Sequence, residues 1–122
     1  MNTKVSHAIH KKELLLHYQE QKQKERQFQE NALQEAQRLA LMLVEQFGVE
    51  RVYLAGPLAY NKFSAGMKLE LALEGIPAGA YAEAIGHVKQ SSTFEVDLID
   101  LHQADAWTKR ALKEKGRLLA KK

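Results

Sequence analysis

The chain has 122 residues, 45% of them hydrophobic and 27% charged, with no cysteine and a net charge of +3. That length fits one domain with a real core, and the absence of cysteine excludes a disulfide frame, a Cys-based metal site and a Cys nucleophile. No apolar run approaches the roughly 20 residues needed to span a bilayer. The opening MNTKVSHAIHKK has no apolar stretch of signal-peptide type, so the expected location is cytoplasmic.

Residues 11–47 contain neither Gly nor Pro and are rich in Leu, Glu, Gln, Lys and Ala, all good helix formers. Gly48 supplies a C-terminal stop. The segment reads as one long helix, or as two with a joint. As one helix it would run roughly 55 Å at ~1.5 Å per residue, longer than a domain this small can cover. Its C-terminal part carries an apolar stripe at Leu33, Ala36, Ala40, Leu43 and Phe47, with Leu39 and Val44 beside it, and should pack on a sheet. Its middle, QEQKQKERQ at 19–27, is polar on every face and cannot bury itself. Before that spacer, Ile9, Leu14, Leu15, Leu16 and Tyr18 restore apolar character. A patch beyond a polar spacer has nothing in its own domain to cover it, so these five residues are the expected partner-binding set. The resulting division is a helical arm over 1–30 and a folded domain over 31–122.

After Gly48, residues 49–55 read as a first strand, stopped by Gly56-Pro57. Residues 68–74 read as a second strand, with Leu69, Leu71 and Leu73 alternating with Glu70, Ala72 and Glu74. Pro77 marks a helix start in the connection that follows. A helix over 80–89 turns Tyr81, Ala84, Ile85 and Val88 inward. A third strand occupies 94–101, with Asp100 opening the turn after it. A helix over 104–115 has Trp107, Ala111 and Leu112 on its core side and ends at Gly116; residues 117–120 can add an edge strand.

Several of these stretches together resemble a known family. VYLAGPLAYNKFSAGMKLELALEG, from Val52 to Gly75, looks like the opening motif of the minimal nucleotidyltransferases, relatives of DNA polymerase beta. Gly56 stands at that motif's Gly, and Leu69-Glu70-Leu71-Ala72-Leu73-Glu74-Gly75 resembles the strand carrying its second Asp. Phe94-Glu95-Val96-Asp97-Leu98-Ile99-Asp100-Leu101 resembles the third-carboxylate strand, with Asp97 at the catalytic position. Lys115-Gly116 followed by Leu118 and Leu119 is similar to the end of such domains, so the likeness covers roughly Leu33 to Ala120.

The departures are chemical. Pro57 stands where the family has Ser, Tyr60-Asn61 where it has Arg-Gly, Lys68 at the first metal-binding Asp and Glu70 at the second. In the family three carboxylates hold two Mg²⁺ ions that bridge a triphosphate. An ammonium at the first position puts positive charge where a cation should sit. The resemblance therefore implies a nucleotidyltransferase fold that has lost its chemistry, with Mg²⁺ and ATP as cofactors only if it is active. Lys68 is expected to lie beside Glu70 and opposite Asp97 as an internal ion pair; the other reading is one divalent ion held by Glu70 and Asp97. Gly56 and Pro57 mark the family's nucleotide-binding turn, which Pro57 weakens by deleting a backbone N–H. Tyr60 either packs where the Arg would be or accepts AMP. Glu74 reads as a surface residue.

His7, His10 and His17 share a helical face, yet no acidic or Cys ligand joins them at zinc spacing. The C-terminal segment crowds Lys109, Arg110, Lys113, Lys115, Arg117, Lys121 and Lys122 against few acids, either a solvated face or a nucleic-acid footprint. Beyond Trp107 no aromatic interleaves with these charges, so the stacking part of a single-strand site is missing and nucleic acid is only weakly indicated as a partner.

The expected fold is thus α/β: a small mixed sheet of three or four strands with helices on one face, preceded by a long helix. The expected function is a non-catalytic binding or assembly subunit, working as a homo-oligomer or with a helical partner. Proteins of the resembled family act as antitoxins beside helical HEPN ribonucleases, and some transfer AMP to a toxin tyrosine, so the resemblance implies an antitoxin-like partner of a HEPN-type protein. The alternatives are an active adenylyl transferase with an unusual metal site and an RNA-binding accessory protein.

Overall fold

The computed structural model describes the backbone of residues 3–122 and the side chains of residues 10–122. One continuous helix, α1 (Thr3–Phe47), is followed by β1 (Arg51–Ala55), a short helix α2 (Gly56–Ala59), β2 (Leu69–Glu74), α3 (Ala80–Ser91), β3 (Val96–Asp100), α4 (Ala106–Lys115) and β4 (Arg117–Lys121). The four strands form one mixed sheet in the order β3-β2-β1-β4. β1 is antiparallel to both β2 and β4, whereas β2 and β3 are parallel. The α/β architecture with a long leading helix is as expected.

Alternation on β2 sets the two faces of the sheet. Leu69, Leu71 and Leu73 are fully buried, as are Val52 and Leu54 on the neighbouring strand. Opposite them α1 presents Ala32, Ala36, Leu39 and Leu43, spaced four, three and four apart, all fully buried. The small Ala residues let the helix approach the strands, and the leucines fill the space between. Tyr81, Ala84, Ile85 and Val88 of α3 complete this layer, and the Tyr81 hydroxyl donates to the Leu98 carbonyl. Gln37 ties α1 to the edge strand by donating to the Leu119 carbonyl at 2.7 Å. α1 ends as its sequence dictates: Gly48 adopts φ +70°, and the amides of Gly48 and Val49 bond back to Val44 and Leu43.

Four details differ from the sequence reading. Packing of α1 begins at Phe28, whose ring stacks on Phe63 at 5.5 Å and meets Phe94 at 5.9 Å, so the domain's first contact lies inside the expected arm. α3 starts at Ala80 as expected, but Pro77 opens no helix of its own: its carbonyl accepts the Ala80 amide in a turn. α4 lies on the face away from α1, where Lys113 reaches Glu74 and Gly116 approaches Tyr53, so the helices occupy both faces. Trp107 is not a core residue: it is 79% exposed, and α4 buries none of its residues fully.

Between residues 10 and 27 every side chain of α1 is exposed. Leu14, Leu15, Leu16 and Tyr18 are 55–58% exposed on this part of the helix. The Ile9 side chain, the fifth of the expected set, lies outside the described residues.

The burial contrast along one helix gives the first prediction. Leu39→Ala removes a fully buried side chain beneath the sheet and should cost ~2–5 kcal/mol of domain stability. Leu15→Ala should change it by less than about 0.5 kcal/mol. Urea denaturation of both variants provides the comparison.

Candidate functional site

The residues singled out by motif lie around the start of α2, where β1 ends at Ala55 and the chain turns at Gly56. Gly56 has φ +70°, a left-handed conformation that disfavours any residue with a Cβ. Ala55 pairs with Glu70 on one side of β2, and Asp97 pairs with Glu70 on the other. Glu70 thus lies between the turn and Asp97, and in-register neighbours on parallel strands direct their side chains to the same face. The Glu70 carboxylate folds over the turn so closely that a Cβ on Gly56 would overlap it. The glycine is required twice, for its backbone angle and for the space the carboxylate takes.

Lys68 does not complete this arrangement. β2 begins at Leu69, and Lys68 lies in the exposed approach to it. No ion pair within 4.0 Å joins Lys68 to Glu70 or Asp97 among the described residues. The expected internal bridge is therefore absent: side-chain parity was extended one residue past the end of the strand, where pleating no longer fixes direction. Glu70 is half-buried and Asp97 exposed, so water screens their mutual repulsion without a lysine.

The two-ion, triphosphate-holding arrangement does not fit these residues. Among the described residues no three His, Asp or Glu side chains come together as a metal-binding group. At the turn, Pro57 has no N–H to offer, and the place beside Gly56 is taken by a carboxylate, which repels phosphate. Tyr60 is exposed and fills no Arg-sized gap. His10 and His17 are exposed on the arm, and His87 packs its ring edgewise on Phe47; the His7 side chain lies outside the described residues.

Sequence reasoning missed an electrostatic junction between elements. Glu74, expected at the surface, accepts from Arg51 of β1 at 2.9 Å and pairs with Lys113 of α4 at 2.8 Å. It joins two strands and the outer helix at one point. The Lys113 hydrogen bond, aided by Arg51, holds its carboxyl below the usual range despite opposing burial. The available signal was the alternation itself, which puts Glu74 on the Glu70 face while leaving its partners on other elements undetermined. Beside it, at the carboxyl ends of β2 and β3, opens a cleft of about 910 Å³ whose walls include Tyr81, Asp100, His102, Lys109 and Lys113. Asp100 opens the turn there as expected, its side chain accepting the His102 amide at 2.9 Å.

Comparison with known proteins adds the fold. No protein-family model matches the chain, and neither does any curated protein sequence. Among solved structures it is similar to a chain of a toxin-antitoxin crystal structure determined with AMP-PNP. The TM-score is 0.59 at 16% sequence identity, over 70% of this chain and 73% of that one. At that identity the likeness is one of fold. No helix among the described residues is long and apolar enough to cross a membrane.

Two predictions follow from this geometry. Gly56→Ala should destabilise the domain by ~1–2 kcal/mol for the left-handed backbone alone, and by more because Glu70 must move. Adding Glu70→Ala should recover only the second part, whereas Lys68→Met should stay within about 0.5 kcal/mol of the parent; denaturant midpoints of the four proteins decide it. For Glu74, a carboxyl lowered on folding contributes stability above its unfolded value and loses it as the pH falls through the folded one. Stability should therefore decline below the ordinary Glu value of 4.5. Glu74→Gln should be less stable near neutrality and show a shallower acid decline, read from urea titrations across pH. Its cationic partners are about half exposed, so the effect should shrink in high salt.

Proposed function

We propose that this chain is a non-catalytic binding subunit with a toxin-antitoxin-like role, the antitoxin-like partner of a HEPN-type helical protein. The observation that carries the proposal is the arm: Leu14, Leu15, Leu16 and Tyr18 stand more than half exposed on a helix that leaves its own domain. The fold likeness to a chain of a toxin-antitoxin complex supports the setting, and the resemblance to minimal nucleotidyltransferases supplies the type of partner. Loss of the family's first carboxylate at Lys68, with a carboxylate over the Gly56 turn, supports a role without adenylyl transfer.

Burying three such side chains contributes roughly 5 kcal/mol at ~1.5–3 kcal/mol each. Ordering of the contacting side chains opposes it, but continuity with the buried part of α1 has already nucleated the helix. Three consecutive leucines fan around a helix at about 100° per residue, so a single flat surface cannot cover them. A partner that encloses the arm with more than one helix can.

The intact chain should assemble with itself or with an all-helical protein encoded beside it, as seen by light scattering at tens of micromolar. The combined variant Leu14→Ser, Leu15→Ser, Leu16→Ser should keep the folded sheet and lose the assembly. A chain shortened to begin at Arg26 should do the same, because it retains Phe28. A full-length monomer in both settings removes the proposal's main support. Incubation with labelled ATP and Mg²⁺ or Mn²⁺ should transfer no label to either protein; transfer abolished by Asp97→Ala would restore an adenylyl transferase using Glu70 and Asp97.

A further inference from the structure

We infer that the α4–β4 segment is a binding surface for single-stranded nucleic acid, with Trp107 as its stacking platform. Residues 106–122 hold seven Lys and Arg against one Glu, a net +6, in a chain whose total is +3; residues 1–105 therefore carry −3. Charge is thus segregated onto one contiguous helix-and-strand unit at the edge of the sheet. Within that unit only Lys113 is committed to an ion pair, with Glu74, among the described residues. Lys109, Arg110, Lys115, Arg117, Lys121 and Lys122 form no ion pair there.

Trp107 lies at the start of the same helix and is 79% exposed, the largest exposure among the exposed large apolar side chains. The start of that helix is fixed: Asp105 caps α4 by accepting the Thr108 amide at 2.7 Å, five residues past the end of β3. Arg110 follows one helical turn later, close enough on the helix surface to share a ligand with the indole. An indole held out in water loses nothing by accepting a base on its face, and each base presents a π-face whatever the sequence. Phosphates linked to that base then meet free cations along α4 and β4. A rigid indole beside unpaired cations suits a flexible strand with splayed bases; a duplex hides its base faces. This surface is separate from the arm, so it stands or falls apart from the toxin-antitoxin reading.

The chain has a single Trp, so its own fluorescence reports on the site. Oligo(U) or oligo(dT) of about twelve nucleotides, within the ~4–16 that single-strand sites span, is titrated into the full chain at about 50 mM salt. The expected result is saturable quenching whose affinity falls on a log–log plot by ~0.7 per phosphate contacted as salt rises. Comparison of the two oligomers separates RNA from DNA. With labelled oligomer and anisotropy as readout, Trp107→Ala should weaken binding about 5- to 100-fold. Arg110→Gln should weaken it less and flatten the salt dependence. The indole is exposed, so circular dichroism should show both variants folded. Absence of quenching by either oligomer overturns the inference, as does unchanged affinity in Trp107→Ala. A Trp shift with phosphatidylserine vesicles but with neither oligomer also overturns it and makes the patch a membrane contact.

Discussion

The strict alternation of β2 is the constraint on which the other features depend. Its odd positions, Leu69, Leu71 and Leu73, form the floor against which α1 packs. Its even positions present two glutamates on the opposite face: Glu70 closes over the Gly56 turn, and Glu74 holds Arg51 and Lys113. A slip of one residue in register would expose three leucines and bury two carboxylates, a change no other strand could offset. The core, the occupied turn and the docking of α4 are therefore consequences of one period-2 pattern, six residues long.

That pattern also explains how a domain this small supports so long a helix. α1 spans 45 residues, about 68 Å at ~1.5 Å per residue, and only the part from Phe28 onward rests on the sheet or the aromatic cluster of Phe28, Phe63 and Phe94. The remainder lacks the packing that normally stabilises helices of this kind. Its polar middle has local help, such as Lys22 with Glu25 at 3.7 Å, and such exposed pairs contribute only tenths of a kcal/mol. The helix thus continues beyond its own core, with three leucines along its exposed part that the domain does not cover.

What could be read beforehand follows from the range of each signal. The stop at Gly48, the alternation of β2, the inward face of α3, the turn at Asp100 and the edge strand after Gly116 are local: neighbouring residues determine them. Trp107 was misplaced because apolar periodicity in a ten-residue helix identifies apolar side chains without saying which of them meets the sheet. α4 approaches through Ala111, Leu112 and the Glu74–Lys113 pair, leaving the indole outside. Lys68 was misplaced because parity holds only within a strand. Glu74's role and the packing of Phe28 depend on residues far away in sequence, 39 apart for Glu74 and Lys113 and 35 apart for Phe28 and Phe63, beyond the reach of any local pattern.

The geometry of the candidate site is set by backbone and packing demands alone. Gly56 is needed because the backbone at the end of β1 must turn through φ +70°, a structural demand independent of catalysis. Once Glu70 folds over that glycine, the turn satisfies its own geometry and repels phosphate. Positive charge meanwhile gathers on α4 and β4, where Glu74 engages one cation and leaves the others to solvent. Cationic side chains therefore stand on the outer helix and edge strand, away from the turn that repels phosphate. That edge is also where the sheet ends in unpaired backbone groups, and Arg117, Lys121 and Lys122 discourage another strand from adding to it. The cations at this edge thus guard β4 against pairing with a further strand.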